Sequence, residues 1–532
     1  MKPVKFFIAI TLIGWLAGIQ SFAATVESDI CIFGGTSAGI IAAVQAASMG
    51  KTVVVVEPGK HLGGLTAGGL GWTDIGNKGA IGGRSRAFYR KLGAHYGKAE
   101  AWTFEPRVAE NEFAAMLREA KVPIHFQQRL AKVGKNGARI SELTTEDGTE
   151  FRAKMFIDAT YEGDLMARSG VSYFVGREAN STYDETLDGI REQTPKHQFL
   201  AAVDPYVKPG DTNSGLLPFV QATAFGLPGA GDKSVQAYNF RLCLTKNPAN
   251  RKPIEPPTNF DPKQFELLGR YIDTLSTAGK KVTLENFMKV DMVTPDKTDI
   301  NNNGGFSTDY IGMNYSYPDA DYATREQFQK ECLNYTKGLL TYLATSPRVP
   351  ASIRAEMQPW GLCRDEFPDT GGWPHQLYVR EARRMIADYV MTEKNCRRVE
   401  VITDSVGLAA YNMDSHNCRR LVRDGRVENE GDVQVPPMSP YPISYRALVP
   451  KPAECENLLV PVCLAASHIA YGSIRMEPVF MILGQSAATA AALAIDDQVP
   501  VQKIDYPKLR ARLLADRQIL EWNKPAGEET AP

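Results

Sequence analysis

The stretch "DICIFGGTSAGIIAAVQAASMGKTVVVVE", Asp29 to Glu57, constrains the fold more than any other part of the 532-residue chain. A short apolar run of strand length enters a glycine turn, a run with helical spacing follows and stops at Gly50, and a second apolar run ends on Glu57. That order is a βαβ unit with an acid placed where ribose hydroxyls need an acceptor. Gly34 allows the tight turn, Gly39 lets the helix sit against the sheet, and the helix N-terminus offers free N–H groups to a pyrophosphate. Thr36 stands where the middle glycine of G-x-G-x-x-G is expected. Its Cβ crowds the approach of backbone to phosphate, while its hydroxyl is able to donate to the same oxygens.

A second glycine cluster, "HLGGLTAGGLGWTD" from His61 to Asp74, follows where a nicotinamide-binding chain would continue its strands and helices. It reads as a second stretch of backbone passing close to a bulky cofactor, or as a surface loop. "ISELTTEDGTEFRAKMFIDAT" predicts a hairpin through Asp147-Gly148, with an apolar strand ending at "DATYEGD" and a third approach to the cofactor around Ala159. Near the C-terminus, an apolar strand and a polar turn precede Glu477 and Pro478. They open a helix with Gly484, Ala487, Ala488 and Ala491 on one stripe. The positive end of that helix is expected at the cofactor ring; a tightly packed core helix has the same sequence signature.

Lys2 and Lys5 precede an apolar run from Phe6 to Ile19, and Ser21-Phe22-Ala23 has the small residues of a cleavage site. This predicts a signal peptide over residues 1–23 and a periplasmic or extracellular protein with no membrane span after cleavage. The chain carries 60 basic and 61 acidic side chains, and the leader takes two lysines and no acid, so nucleic acid is not the expected partner. Eight cysteines are scattered singly with no C-x-x-C, which argues against metal or iron–sulfur ligation and for mostly buried free thiols.

The segments "GGTSAGIIAA", "LGGLTAGGLG", "DATYEGDL", "KTDINNNGGFSTD", "WGLCRDEF", "YVREARRM", "AYNMDSHNCRR", "YPISYRALVPK" and "ECENLLVPVCLAASHIAYGSIRMEP" together resemble the secreted FAD-dependent oxidoreductases that share a flavin fold with the flavin part of heterodisulfide reductase A. The resemblance implies an α/β fold: a Rossmann-like FAD-binding domain of the glutathione-reductase-like kind with an inserted α+β substrate domain. The expected division is 24–170 for the first part of the FAD domain, 171–451 for the substrate or cap domain, 452–500 for the second part and 501–532 for an extension. FAD is the implied cofactor, lined by Gly34, Ser37, Ala38, Glu57, Gly63, Gly64 and Thr66. Thr36, Gly39, Ala159 and Glu477 join them from the reading of the loops.

In the middle region, "NPANRKPIEPPTNFDP" reads as a connector and "YVREARRMIADYVM", Tyr378 to Met391, as a helix. Arg380, Arg383 and Arg384 on it either clamp an acidic substrate or join Glu381 and Asp365-Glu366 in an ion-pair network. His468, in the turn before the last helix, is the first choice for a general base and a turn-holding residue in the other reading. His416, beside Asp414 and Asn417, is the second, or part of a plain polar loop. Arg446 and Arg475 are expected to hold substrate or to stabilise the charge of the reduced flavin, or to be salt-bridged, Arg475 to Glu477. The function expected is oxidation of a CH–OH group in a small polar, sugar-like substrate by hydride transfer to flavin, with electrons passed to an unidentified acceptor. The alternatives are a flavin-dependent lyase working through transient oxidation and a flavin-fold protein that binds carbohydrate without turnover.

Overall fold

The computed structural model describes residues 24–522; the expected leader, residues 1–23, lies outside the described residues. Strand β1, Thr25–Phe33, and strand β2, Val53–Val56, flank helix α1, Ser37–Ser48. Ile30 to Phe33 and all of β2 are buried, the pattern of a parallel sheet covered on both faces. Strands β3 (Ile124–His125), β4 (Leu130–Asn136), β5 (Arg139–Thr145) and β6 (Glu150–Asp158) complete most of a seven-stranded sheet in the order β3-β2-β1-β6-β5-β4. β3, β2, β1 and β6 run parallel.

One edge of β6 takes two partners. Glu150 to Arg152 pair antiparallel with β5, and Phe156 and Ile157 pair parallel with the short strand Leu458–Leu459. A nine-residue strand spans roughly 30 Å, long enough for both. The hairpin through Gly148, at φ 87°, is as the sequence predicts.

The helix Glu477–Asp497 starts with Pro478 in its first turn and packs along α1. A Cβ on Gly484 would lie 2.2 Å from the Ala38 carbonyl oxygen, so the two backbones touch only because that position is glycine. By length and apolar composition this helix is able to cross a membrane, but 89% of its most apolar window is buried inside the protein, as for a core helix. Under the first turn of α1, a Cβ on Gly39 would lie 1.9 Å from the Gly34 carbonyl oxygen, which fixes why the turn needs glycine there. All eight cysteines are buried thiols.

The segment Tyr378 to Met391 is not a helix. It is extended, and only Arg384–Met385 form a strand, paired with Tyr173–Phe174. Helical spacing would put Arg380, Arg383 and Arg384 on one face. Their carboxylate partners are instead Asp309 for Arg380, Asp164 and Asp319 for Arg383, and Glu178 and Glu381 for Arg384. Satisfying buried guanidinium groups on several sides overrides local helix preference.

Candidate functional site

A cleft of about 240 Å³ opens at the carboxyl ends of β1, β2 and β6, where an open α/β sheet binds its ligands. Gly34, Thr36, Glu57, Gly64, Thr160, Tyr161 and His375 are among its lining. Gly34 needs its positive φ of 105°, since a Cβ there would lie 2.9 Å from the Ala159 backbone. Glu57 closes the far side by accepting from the N–H groups of Gly35 at 2.6 Å and Gly59 at 2.5 Å.

The Thr36 hydroxyl has partners within the protein. It donates to the Ala159 carbonyl at 2.7 Å and accepts from the Gly39 N–H at 3.3 Å, capping α1 and joining it to the end of β6. Thr36→Gly is therefore expected to lower the stability of the cofactor-free protein by about 1–2 kcal/mol, the value of a lost cap and its second bond. Thr36→Ser should hold the parent value. Equal denaturation midpoints for Thr36→Gly and the parent would show that the hydroxyl has no such role.

Ser37 and Ala38 are buried beneath a carboxylate from the other end of the chain. Glu477 accepts from the hydroxyls of Ser37 (2.5 Å), Thr66 (2.6 Å) and Tyr161 (2.7 Å). Thr66 lies on helix α2, Gly64–Ala67, whose Leu65 N–H donates back to the Tyr161 hydroxyl at 2.8 Å. A Cβ on Gly64 would strike that hydroxyl at 2.3 Å, and one on Gly63 would strike the Phe113 ring at 2.4 Å. One side chain thus ties together all four segments expected around the cofactor. Burial raises the Glu477 pKa, and the three hydroxyls oppose that shift.

Sequence reading missed His375. Its ring stacks on His61, centroids 3.7 Å apart, and both its nitrogens are buried without a partner among the described residues. Burial and the neighbouring His61 hold its pKa down at about 4, so it is a neutral ring able to donate once and accept once. His61 is fixed by Glu110 and Asp369. Glycine turns, a helix N-terminus, an acid at the end of β2 and an unpaired imidazole in one cleft fit a dinucleotide such as FAD.

Beyond the second glycine loop lies a charged constellation around Tyr378. The guanidinium groups of Arg241, Arg380 and Arg475 stand 5.9, 4.5 and 5.7 Å from its ring centre. Arg241 is held by both oxygens of Asp299, Arg380 by Asp309 at 3.0 Å, and Arg475 by Asp414 at 2.6 Å and the Tyr378 hydroxyl at 2.9 Å. Arg475 pairs with Asp414, not Glu477. The constellation meets the cofactor loops twice. A Cβ on Gly69 would lie 2.2 Å from the Arg241 carbonyl oxygen, and Arg475 precedes Glu477 by two residues. Arg380 Nε and Nη2, Arg475 Nε, and the side-chain oxygens of Asn239 and Asn417 have no partner among the described residues.

The two histidines separate. His468 is fully buried at the start of the helix His468–Ile474, with Nδ1 at 2.7 Å from Glu381 and Nε2 at 3.0 Å from the Ser415 hydroxyl. Neither nitrogen is open to a substrate, so the turn-holding reading applies. His416 lies in the constellation, with Nδ1 at 2.8 Å from Asp309 and Nε2 at 3.6 Å from Asp414, beyond hydrogen-bond reach. Burial and the Arg380 charge hold its pKa at about 4.

Arg446 is elsewhere: half-exposed, paired with Asp404 and stacked on Tyr389. Asp365 and Glu366 do not reach the arginines of the constellation. With Glu105 they form a three-carboxylate cluster of metal-site spacing, and the Lys297 ammonium sits within it at 2.7, 2.7 and 2.8 Å. An amine held by three carboxylates already supplies the positive charge a metal would bring.

No curated protein matches the chain. Among solved structures it is similar to a flavin-containing monooxygenase from Stenotrophomonas maltophilia (14% identity over 30% of this chain and 44% of that one, TM-score 0.20). It is also similar to 3-ketosteroid-delta4-(5alpha)-dehydrogenase from Rhodococcus jostii RHA1 (14%, 29% and 50%, TM-score 0.21). A third is OxyS anhydrotetracycline hydroxylase from Streptomyces rimosus (10%, 52% and 44%, TM-score 0.26). The aligned part spans half or less of each of these proteins. The family model described as FAD dependent oxidoreductase matches residues 29–513, nearly the whole described chain, and the protein belongs to that family.

Proposed function

We propose that this FAD-dependent oxidoreductase is exported and oxidises a CH–OH group of a small, sugar-like substrate held against Tyr378. The observation that carries the reading is the mixture of unpaired buried groups: donors on Arg380 and Arg475, acceptors on Asn239 and Asn417. A bare anion would satisfy the donors alone. Hydroxyl groups donate and accept, so a polyol satisfies both. Bound FAD would supply the acceptor for the hydride of the broken C–H bond, which carries both electrons. His416 takes the hydroxyl proton on Nε2, while its Nδ1–H donates to Asp309, which fixes the tautomer and the ring.

A glutathione-reductase-like domain, related to the flavin part of heterodisulfide reductase A, is supported by the order of the parallel strands and the antiparallel β4–β5 pair at the edge of β6. Residues 171–451 would form the substrate-covering region, and the leader at 1–23 would direct the chain to the periplasm or beyond.

The test is anaerobic titration of the FAD-loaded protein with a panel of neutral sugars, sugar acids and simple hydroxy acids. Lasting loss of the oxidised flavin bands with a neutral sugar, and formation of the matching carbonyl compound, is the expected result. An unsaturated product with the flavin bands restored would favour the lyase reading, and binding without either change would favour the non-catalytic one.

A further inference from the structure

We propose that Cys243 and Cys363 are joined by a disulfide in the exported protein, an inference that rests on the export reading. The strand Gly361–Cys363 runs antiparallel to the strand Leu244–Thr245, pairing Gly361 with Thr245 and Leu362 with Leu244. The next step of that register sets Cys363 opposite Cys243, and their sulfurs stand 3.7 Å apart. Directly opposed residues of two antiparallel strands have Cβ atoms close to the spacing a disulfide spans. Reaching bonding distance takes a shift of roughly 0.8 Å per sulfur, within the reach of a small χ1 rotation.

Both thiols are buried with Phe367 in a small apolar cluster separate from the main core. Contact with Cys363 and burial raise the Cys243 pKa well above that of a free thiol, so Cys243 is a poor nucleophile once folded, and both sulfurs are closed off from a solution oxidant. The bond therefore forms while the segment is still accessible. The thiolate of one cysteine attacks the disulfide of an extracytoplasmic thiol oxidant, a mixed disulfide forms, and one oxidant thiolate leaves. The second cysteine displaces the other oxidant sulfur. Two protons and two electrons leave the chain, and the oxidant departs as a dithiol.

The link closes a long loop and lies at two sensitive places. Cys243 follows Arg241 of the Tyr378 constellation by two residues, and Cys363 precedes Glu366 of the Lys297 cage by three. It would hold the stretch that bears Arg241 against the segment that cages Lys297.

The chain is expressed with its own leader, recovered from the extracytoplasmic fraction, acid-quenched, unfolded and alkylated without reductant, and its mass is read intact. Two fewer alkyl groups than the eight cysteines allow, with a single cross-linked peptide pair containing Cys243 and Cys363, is the expected result. Cys243→Ser should free Cys363 for alkylation and leave the other counts unchanged. Eight alkyl groups on exported chain, or a cross-link between other cysteines, overturns the proposal. If the chain is not exported, the export reading fails. Refolding the reduced chain in a glutathione redox buffer then decides the pairing by the same count: a Cys243–Cys363 link supports the pair, and eight free thiols overturn it.

Discussion

His416→Asn is expected to retain bound FAD and to lower the rate of anaerobic flavin reduction by substrate about 10²–10⁴-fold, the usual loss for a missing general base. Asparagine keeps a donor toward Asp309 and similar bulk but accepts no proton near neutral pH. The companion substitution, His468→Asn, should behave differently. It removes one of the two donors to a buried Glu381 oxygen, leaving the Gln236 amide, at a cost to stability of about 1–3 kcal/mol, while the reduction rate per bound flavin stays within a few-fold of the parent. Parent-like reduction by His416→Asn would remove His416 from the chemistry. A large rate loss in His468→Asn with full FAD content would move the proton transfer there.

The same residue sets a pH dependence. Since burial and Arg380 hold His416 at about 4 rather than its ordinary 6.5, it stays neutral and competent down to the lower value. Flavin reduction should lose rate as pH falls through about 4, with no limb near 6.5. Stability follows the same sign. The unfolded chain takes up this proton below pH 6.5 and the folded chain only near 4, so His416 makes the fold less stable as pH falls through that window. Stopped-flow mixing from neutral pH into acid separates the two effects, because the rate is read before unfolding begins. A limb at 6.5 would mean that another group controls the step.

What was legible in the sequence was local. The first βαβ unit and its acid, the hairpin through Gly148 and the proline-started helix each depend on residues within about one element of one another, and each forms as expected. The partners of Glu477 were not legible, because Ser37 and Thr66 lie 440 and 411 positions away. Thr36 was read toward the ligand because a fingerprint carries no information on which neighbour a hydroxyl meets; the Ala159 carbonyl, 123 positions on, claims it. The arginine segment misled for a related reason. Spacing of three and four suggested one helical face, whereas buried carboxylates on different sides pull the chain into an extended path. An acid of the Arg380 and His416 pair, Asp309, came from a stretch singled out only as part of a resemblance.

Glu477→Ala is expected to be the most damaging single change at the cofactor loops. The carboxylate has no cation beside it among its bonded partners; it is kept by three hydroxyl donors on three segments. Removing it leaves the Ser37 and Thr66 hydroxyls turned toward a cavity without a partner and Tyr161 with the Leu65 N–H alone, and each buried hydroxyl left unpaired costs about 1–3 kcal/mol, less where water enters. A combined loss of about 3 kcal/mol falling on the loaded state would weaken FAD roughly 10²-fold. Glu477→Gln separates charge from connection. Its amide keeps an acceptor and nearly the same volume and removes a charge that burial opposes, and hydroxyls rotate to accept as well as donate. The glutamine variant should therefore bind FAD within about tenfold of the parent, and the cofactor-free protein should unfold at or above the parent midpoint. Equal FAD affinity in the alanine variant would show that the four loops hold their places without the carboxylate. Loss of FAD in both variants with parent-like stability would instead make the negative charge itself part of the cofactor's contact surface.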